Sequence, residues 1–236
     1  MNVEGKNAVM EALKSGATID LVMVEKGQNH PIIAIAREKG IKIQFLDKSV
    51  MDKNSVTKRH QGFIAKTSDF EYCEVSDIID LANQRGEDVF VVILDGVEDP
   101  HNLGSIIRVC ECAGVHGIVI PKHRSASVNE TVIRASAGAS EHMLIARVTN
   151  VNNAIEELKE NGVWIYAADM DGDDIYKTDL KGKIGLVIGG EGSGVKKLTK
   201  QLCDKVVALP IRGQVNSLNA SVACGIVVYE ALRQRI

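Results

Sequence analysis

Six short apolar runs, DVFVVIL, GIVI, MLIARV, VWIYAA, KIGLVIG and KVVALP, follow one another from residue 88 onward, with helical segments between them. Runs this short, rich in Val and Ile and without polar alternation, are the signature of strands buried on both faces. Strands of that kind alternating with helices call for a parallel sheet covered on both sides. The chain is therefore expected to hold an α/β domain over residues 88–236. Ahead of it, strands at 20–24, 41–46 and 62–66 and a helix at 30–39 make a smaller α/β unit over residues 1–70. The acid-rich stretch 71–87, amphipathic at 75–84, reads as linker and helix. No internal repeat or low-complexity segment interrupts this order.

Composition narrows the function. With 45% hydrophobic and 25% charged residues the chain belongs with folded globular proteins. No apolar run approaches the roughly 18–20 residues of a membrane span, so no membrane partner is expected. The start, MNVEGKNAVMEAL, has no apolar signal core, which points to the cytoplasm. The five cysteines (Cys73, Cys110, Cys112, Cys203, Cys224) sit mostly in apolar segments and read as small buried thiols of a reducing compartment. Cys110 and Cys112 have no second pair at ligand spacing, so no metal is expected. A net charge of -3 argues against non-specific coating of nucleic acid. It leaves room for two local basic runs, Lys53, Lys58, Arg59 and Lys66 within 53–68, and Lys122, Arg124 and Arg134 within 121–134. Each run is either a binding patch or a solvated face.

Polar residues gather where three of the strands end: LDGVEDPHNLGSIIR, IGGEGSGV and LPIRGQVNSLNASVA. Open α/β sheets bind ligands beyond the carboxyl ends of their strands. In the first stretch Pro100 and Asn102 open a helix, with Asn102 as its expected N-cap. Arg108 lies among Ile106, Ile107, Val109 and Cys110, and a guanidinium buried there needs an anion. That anion is either a carboxylate, Glu111 or Glu191, or a phosphate, which the planar fork fits. The glycines of the second stretch match neither the dinucleotide fingerprint nor the Walker loop. They permit close backbone approach, while Glu191 repels phosphate and accepts from Arg108, an ammonium group or hydroxyls. A tight turn with a solvated Glu191 is the alternative. In the third, Asn216 or Ser217 is expected to cap a helix, with Asn219 in its first turn and Leu218 in the core. The final helix, apolar on most faces in its first half, is expected to be buried, partly against a partner chain.

Read together, NLGSIIR (102–108), GGEG (189–192) and PIRGQVNSLNAS (210–221) match N-x-G-x-x-x-R, G-x-E-G and P-x-x-G-x-x-x-S-L-N-x-S in order. This pattern resembles the SpoU/TrmH group of SPOUT RNA 2′-O-ribose methyltransferases, over roughly the last 150 residues. VEGKNAVMEAL and RHQGFIAK are similar to the RNA-binding extension of bacterial members that methylate a guanosine of 23S rRNA. The resemblance implies a C-terminal trefoil knot, S-adenosylmethionine as cofactor, a homodimer, and large-subunit rRNA as partner, with tRNA as the alternative. It implies cofactor contacts at Gly189, Leu209, Ile211 and Leu218. It implies catalytic work at Arg108, with Glu191 orienting it and Asn102, Ser217 and Asn219 shaping the pocket. No matched position departs from the pattern. The rival readings are a non-catalytic RNA-binding assembly factor and a nucleotide-binding enzyme, the latter weakened by the failed phosphate fingerprints.

Overall fold

Two units divide the chain, residues 1–71 and 72–236; the computed structural model describes residues 2–15, 19–67, 70–192, 194–215 and 217–236. The first unit runs β1 (Asn2–Glu4), α1 (Lys6–Ser15), β2 (Ile19–Glu25), α2 (Pro31–Glu38), β3 (Lys42–Leu46), α3 (Lys48–Asn54) and β4 (Phe63–Thr67). Its sheet has the order β1-β4-β2-β3, with β2 and β3 parallel and β4 antiparallel to both β1 and β2. Val9 and Leu13 of α1 and Ile32 and Ala36 of α2 pack on Val22, Val24 and Phe63. Met51 of α3 meets Met23 and Ile64, which alternation along their strands turns to the other face.

The loop between α3 and β4 is pinned by one carboxylate. Glu4 accepts from Ser55 Oγ at 2.8 Å and Thr57 N at 3.1 Å, and also from Val56 N and Thr57 Oγ1. Burial pushes the Glu4 carboxyl upward, but these four donors outweigh it and hold the pKa at about 2. Lys58 N donates to Ser55 Oγ at 2.8 Å, and Gln61 Oε1 accepts from Lys6 N at 3.1 Å. His60 is buried, with Nδ1 accepting from Gly62 N at 2.9 Å and Nε2 facing Asp52 at 3.0 Å. Lys58 (φ 57°) and Gln61 (φ 50°) lie in the left-handed region, which costs about 1–2 kcal/mol for a residue with a Cβ.

The second unit contains α4 (Val75–Arg85), β5 (Phe90–Asp95), α5 (Pro100–Cys112), β6 (Gly117–Pro121), α6 (Glu130–Ala135), β7 (Leu144–Val148), α7 (Val151–Glu160), β8 (Trp164–Asp174), β9 (Ile184–Gly189), α8 (Lys197–Leu202), β10 (Lys205–Ala208) and α9 (Ala220–Arg235). Its six strands form a parallel sheet in the order β10-β8-β9-β5-β6-β7. Val91, Ile93, Val119, Ile165 and Val187 face α4 and α7 in one core. Their alternating neighbours Val92, Leu94, Leu186 and Ile188 are equally buried on the opposite face, where α5 packs with α6 and α9. Helices on both faces explain why these strands carry no polar alternation. The amphipathic stretch read beside the linker is α4, whose Val75, Ile78, Ile79 and Ala82 lie in this core.

Two local features shape the ligand end of the sheet. Between Val206 and Val207 the pairing of β10 jumps from Ala167 to Asp173, so residues 168–172 leave the ladder. Gly104 of α5 lies so close to α6 that a Cβ there would sit 2.5 Å from the Ala135 Cβ. That contact accounts for the glycine of the first motif. The thiols depart in part from expectation. Cys110 and Cys224 are fully buried, Cys73 and Cys203 are partly buried, and Cys112 is exposed. Burial, with Asp204 nearby, pushes the Cys203 thiol up to about 12. On α9, Ala220, Cys224, Val227, Val228 and Ala231 are buried, whereas Val222 and Tyr229 are half exposed. Among the described residues no helix is long and apolar enough to cross a membrane.

Candidate functional site

The order of the sheet fixes where a ligand can sit. From β5 the chain steps outward through β6 and β7, then crosses to β8, and β9 returns to lie between β8 and β5. The strand order therefore reverses at the β5–β9 pair, the position where open α/β sheets form a crevice. Asp95, ending β5, pairs in register with Gly189, ending β9. The first two motifs thus start side by side although they are far apart in the chain.

From Gly189 the glycine loop folds back on itself and onto β5. Gly190 N donates to the Asp95 carbonyl and Gly194 N to the Gly190 carbonyl, both at 3.1 Å. A Cβ on Gly189 would lie 2.0 Å from the Gly194 carbonyl carbon, and one on Gly190 would lie 2.0 Å from the Gly96 oxygen. No side chain fits at either place. The Asp95 side chain is 1% exposed; it accepts from Lys196 N at 3.1 Å and is paired with the Lys196 ammonium. One residue therefore clasps both ends of the loop to β5, the Asp95 backbone carbonyl holding Gly190 and its buried carboxylate holding Lys196. The pattern-based reading missed Asp95 and Lys196. The available signal was a carboxylate closing a fully apolar strand.

The clasp delivers Glu191 to the other two motifs. Asn102 Nδ2 donates to Glu191 Oε1 at 2.7 Å. Asn219 Nδ2 donates to the same oxygen at 2.9 Å and to Asn102 Oδ1 at 3.0 Å. Asn219 Oδ1 accepts from Ser221 N, Ser221 Oγ and Val222 N at the start of α9. Glu191 Oε2 has no partner among the described residues. It is the one open acceptor of this cluster and is available to a hydroxyl or an ammonium group.

Several expectations change. Asn102 is not the cap of α5: Asp99 is, accepting from His101 N at 2.9 Å. Asn102 is thereby freed to reach across to Glu191, and it is buried. Asn219, expected inside the first turn, is itself the cap of α9. Of the two caps expected there, Asn216 lies outside the described residues, and Ser217 is exposed and makes no hydrogen bond among them. Leu218 is 44% exposed rather than core. Arg108 is exposed and pairs with neither Glu111 nor Glu191. Six residues along α5 put it about 9 Å and about 120° away from Asn102. Ile106, Ile107 and Cys110 occupy the buried face instead.

The excursion of β8 opens a cavity of about 340 Å³, lined by Met170, Gly172, Asp174, Ala208, Leu209, Pro210 and Ile211. Two expected cofactor contacts, Leu209 and Ile211, line it, whereas Gly189 and Leu218 do not. A mostly apolar cavity of this size suits a small ligand. Among the described residues no group of three His, Cys, Asp or Glu side chains is placed to hold a metal.

Comparison with known proteins gives the family. Residues 89–229 match the SpoU rRNA Methylase family, and residues 2–73 match the RNA 2′-O ribose methyltransferase substrate binding family. The chain is 45% identical over 238 residues to YacO of Bacillus subtilis, a protein named for the TrmH family of tRNA/rRNA methyltransferases; the match covers 99% of this chain and 95% of the relative. It is 38% identical over 240 residues to RlmB of Xanthomonas campestris, named 23S rRNA (guanosine-2′-O-)-methyltransferase, covering 99% of this chain and 96% of that one. Among solved structures, the AdoMet-bound rRNA methyltransferase from Sinorhizobium meliloti superposes with a TM-score of 0.62 at 26% identity, covering 100% of this chain and 87% of the other.

Proposed function

The chain belongs to the SpoU rRNA Methylase family of RNA 2′-O-methyltransferases, and we propose that it methylates a guanosine ribose of 23S rRNA in the cytoplasm, using S-adenosylmethionine. The observation that carries this reading is the joining of Asn102, Glu191 and Asn219 into one hydrogen-bonded cluster at the β5–β9 reversal. The guanosine target rests on relatives such as RlmB. Methylation of tRNA is the second reading, favoured by relatives named for both RNAs, such as YacO.

The residues present fit the cofactor. Leu209, Ile211 and Met170 supply an apolar wall, and the glycine loop exposes backbone without a phosphate-binding lysine. When bound, the cofactor provides an electrophilic methyl on a sulfonium. The chain must hold a ribose 2′-oxygen about 3–3.5 Å from that methyl, in line with the breaking bond. Glu191, its Oε1 saturated by two amides, keeps Oε2 for a hydroxyl or the ammonium of the cofactor. Asn102 and Asn219 act by fixing that carboxylate. In this proposal the exposed Leu218 contacts the cofactor and the exposed Ser217 positions the ribose. The knotted path of the family belongs to the proposal.

Arg108 is the catalytic residue we propose. Arginine stays protonated in proteins, so its work is to clamp the target phosphate and to stabilise charge on the 2′-oxygen. An exposed guanidinium without an internal carboxylate is suited to that. Homodimer formation belongs to the proposal. It covers Val222 and Tyr229 on α9, and it lets the α5 face bearing Arg108 confront a pocket of another copy.

Purified protein is expected to transfer methyl to unmodified 23S rRNA and less to tRNA. Arg108→Ala is expected to lower kcat about 10²–10³-fold with stability unchanged within about 0.5 kcal/mol. Full transfer by that variant would remove Arg108 from the mechanism. RNA binding without transfer by the native chain would point to the assembly-factor reading. Preference for tRNA would favour the second reading.

A further inference from the structure

Among the described residues four other than glycine sit in the left-handed region, and two of them, Lys58 (φ 57°) and Arg124 (φ 54°), are exposed cations. We infer that Lys58 and Arg124 are phosphate contacts for the RNA, one in each unit, held outward by strained backbone. The inference rests on the reading that RNA is the substrate.

At Lys58 the loop is fixed before any ligand arrives. The carboxylate of Glu4 reaches this loop, yet its hydrogen bonds go to the hydroxyl and amide donors of residues 55–57, three on Oε2 and Val56 N on Oε1. Lys58 N is held by Ser55 Oγ and Arg59 N by Thr57 Oγ1. The carboxylate thus shapes the backbone and makes no ion pair with Lys58 or Arg59. Both side chains are exposed, without an ion pair among the described residues. Glycine is the residue that this conformation favours, so the lysine side chain is carried here at a backbone cost.

Arg124 repeats the arrangement at the catalytic end of the second unit. Its loop is tied down by Lys122 N to the Val148 carbonyl at 2.8 Å, Ala126 N to the Val97 carbonyl at 2.8 Å and Ser125 Oγ to the same Val97 oxygen at 3.3 Å. The Arg124 carbonyl would lie 4.0 Å from a Cβ on Gly96, and Gly96 is the residue that Gly190 rests on. Arg124 therefore stands on the rim of the loop that carries Glu191. Its guanidinium is exposed with no carboxylate partner among the described residues. Backbone strain retained at an exposed functional group is the general pattern at binding sites, and a fixed cation loses less freedom when it meets a phosphate.

Glycine substitution separates the two roles of each residue. Lys58→Gly and Arg124→Gly remove the cation and relieve the strain, whereas Lys58→Ala and Arg124→Ala remove the cation and keep it. The probe is a 23S rRNA transcript made in vitro, with binding to the full-length protein followed by fluorescence anisotropy across a salt series. Each of the four variants is expected to weaken RNA binding about tenfold and to lower the slope of log K against log salt by about 0.7–0.9. The glycine variants are expected to keep or raise Tm, and cofactor affinity by calorimetry is expected to stay unchanged in all four. Unchanged RNA affinity and salt slope would overturn the inference while native methyl transfer left the reaction standing. Glycine variants that lose Tm and RNA affinity together would reduce both residues to structural parts, again against the inference. Loss of binding in the variants, with no transfer by the native protein, would overturn the reaction and keep the contacts. Absence of RNA binding by the native protein would overturn both.

Discussion

The loop of residues 55–62 and the loop of residues 189–196 are built on the same device and put to opposite ends. Each is pinned by one carboxylate, Glu4 in the first and Asp95 in the second. The Asp95 loop uses glycines so that backbone can press on backbone, at distances no Cβ tolerates. The Glu4 loop keeps side chains even where φ is positive, at Lys58 and Gln61. The choice follows what each loop has to present. A surface that must be approached closely is stripped of side chains, and a surface that must offer charge keeps them despite the strain.

The difference can be attacked at its strongest point first. Gly190→Ala forces a methyl group into the Gly96 carbonyl and should weaken cofactor binding by at least about 100-fold, read by calorimetry. Binding within a few-fold of native would mean that the two strand ends are not as rigidly apposed as described. Asp95→Asn tests the clasp itself. It keeps an acceptor for Lys196 N but loses the ion pair, whose lysine is 52% exposed and hence well solvated. The expected loss is roughly 1–2 kcal/mol of stability, with a raised KM for cofactor and a smaller change in kcat. An unchanged KM would place the clasp outside the site. The mildest change is Glu4→Gln. The folded pKa of Glu4 is depressed from 4.5 to about 2, so its contribution is full above pH 4.5 and is lost as pH falls toward 2. The variant should be less stable than the native chain at neutral pH, and the two acid-unfolding curves should converge over that window. A constant difference between them would assign the acid sensitivity to other groups.

Much of this architecture was legible in the sequence because it rests on local rules. Apolar runs without alternation marked the covered parallel sheet, and the three polar stretches at strand ends met where Asn102, Glu191 and Asn219 hydrogen-bond. What local rules misassigned were the roles. Asn102 resembled a cap until Asp99, three residues earlier, proved to hold that position. Arg108 resembled a buried cation because its sequence neighbours are apolar, but neighbours in a helix point in different directions. The spacing of Leu103, Ile106, Ile107 and Cys110 already put Arg108 on the opposite side. The pairing of Asp95 with Lys196 spans 101 residues and carries no local signature, so only the fold reveals it.

The place of β5 in its sheet has a consequence for biosynthesis. β5 is the first strand of its sheet to be made, yet one of its two edges is covered only by residues 184–189. Until those residues leave the ribosome, a fully apolar strand keeps an unpaired edge, the feature most open to wrong association. The first unit has no such delay, since its four strands are complete by residue 67. A nascent chain can thus complete its first unit while the second still exposes an unpaired strand edge, and conditions that slow translation should damage the second unit first.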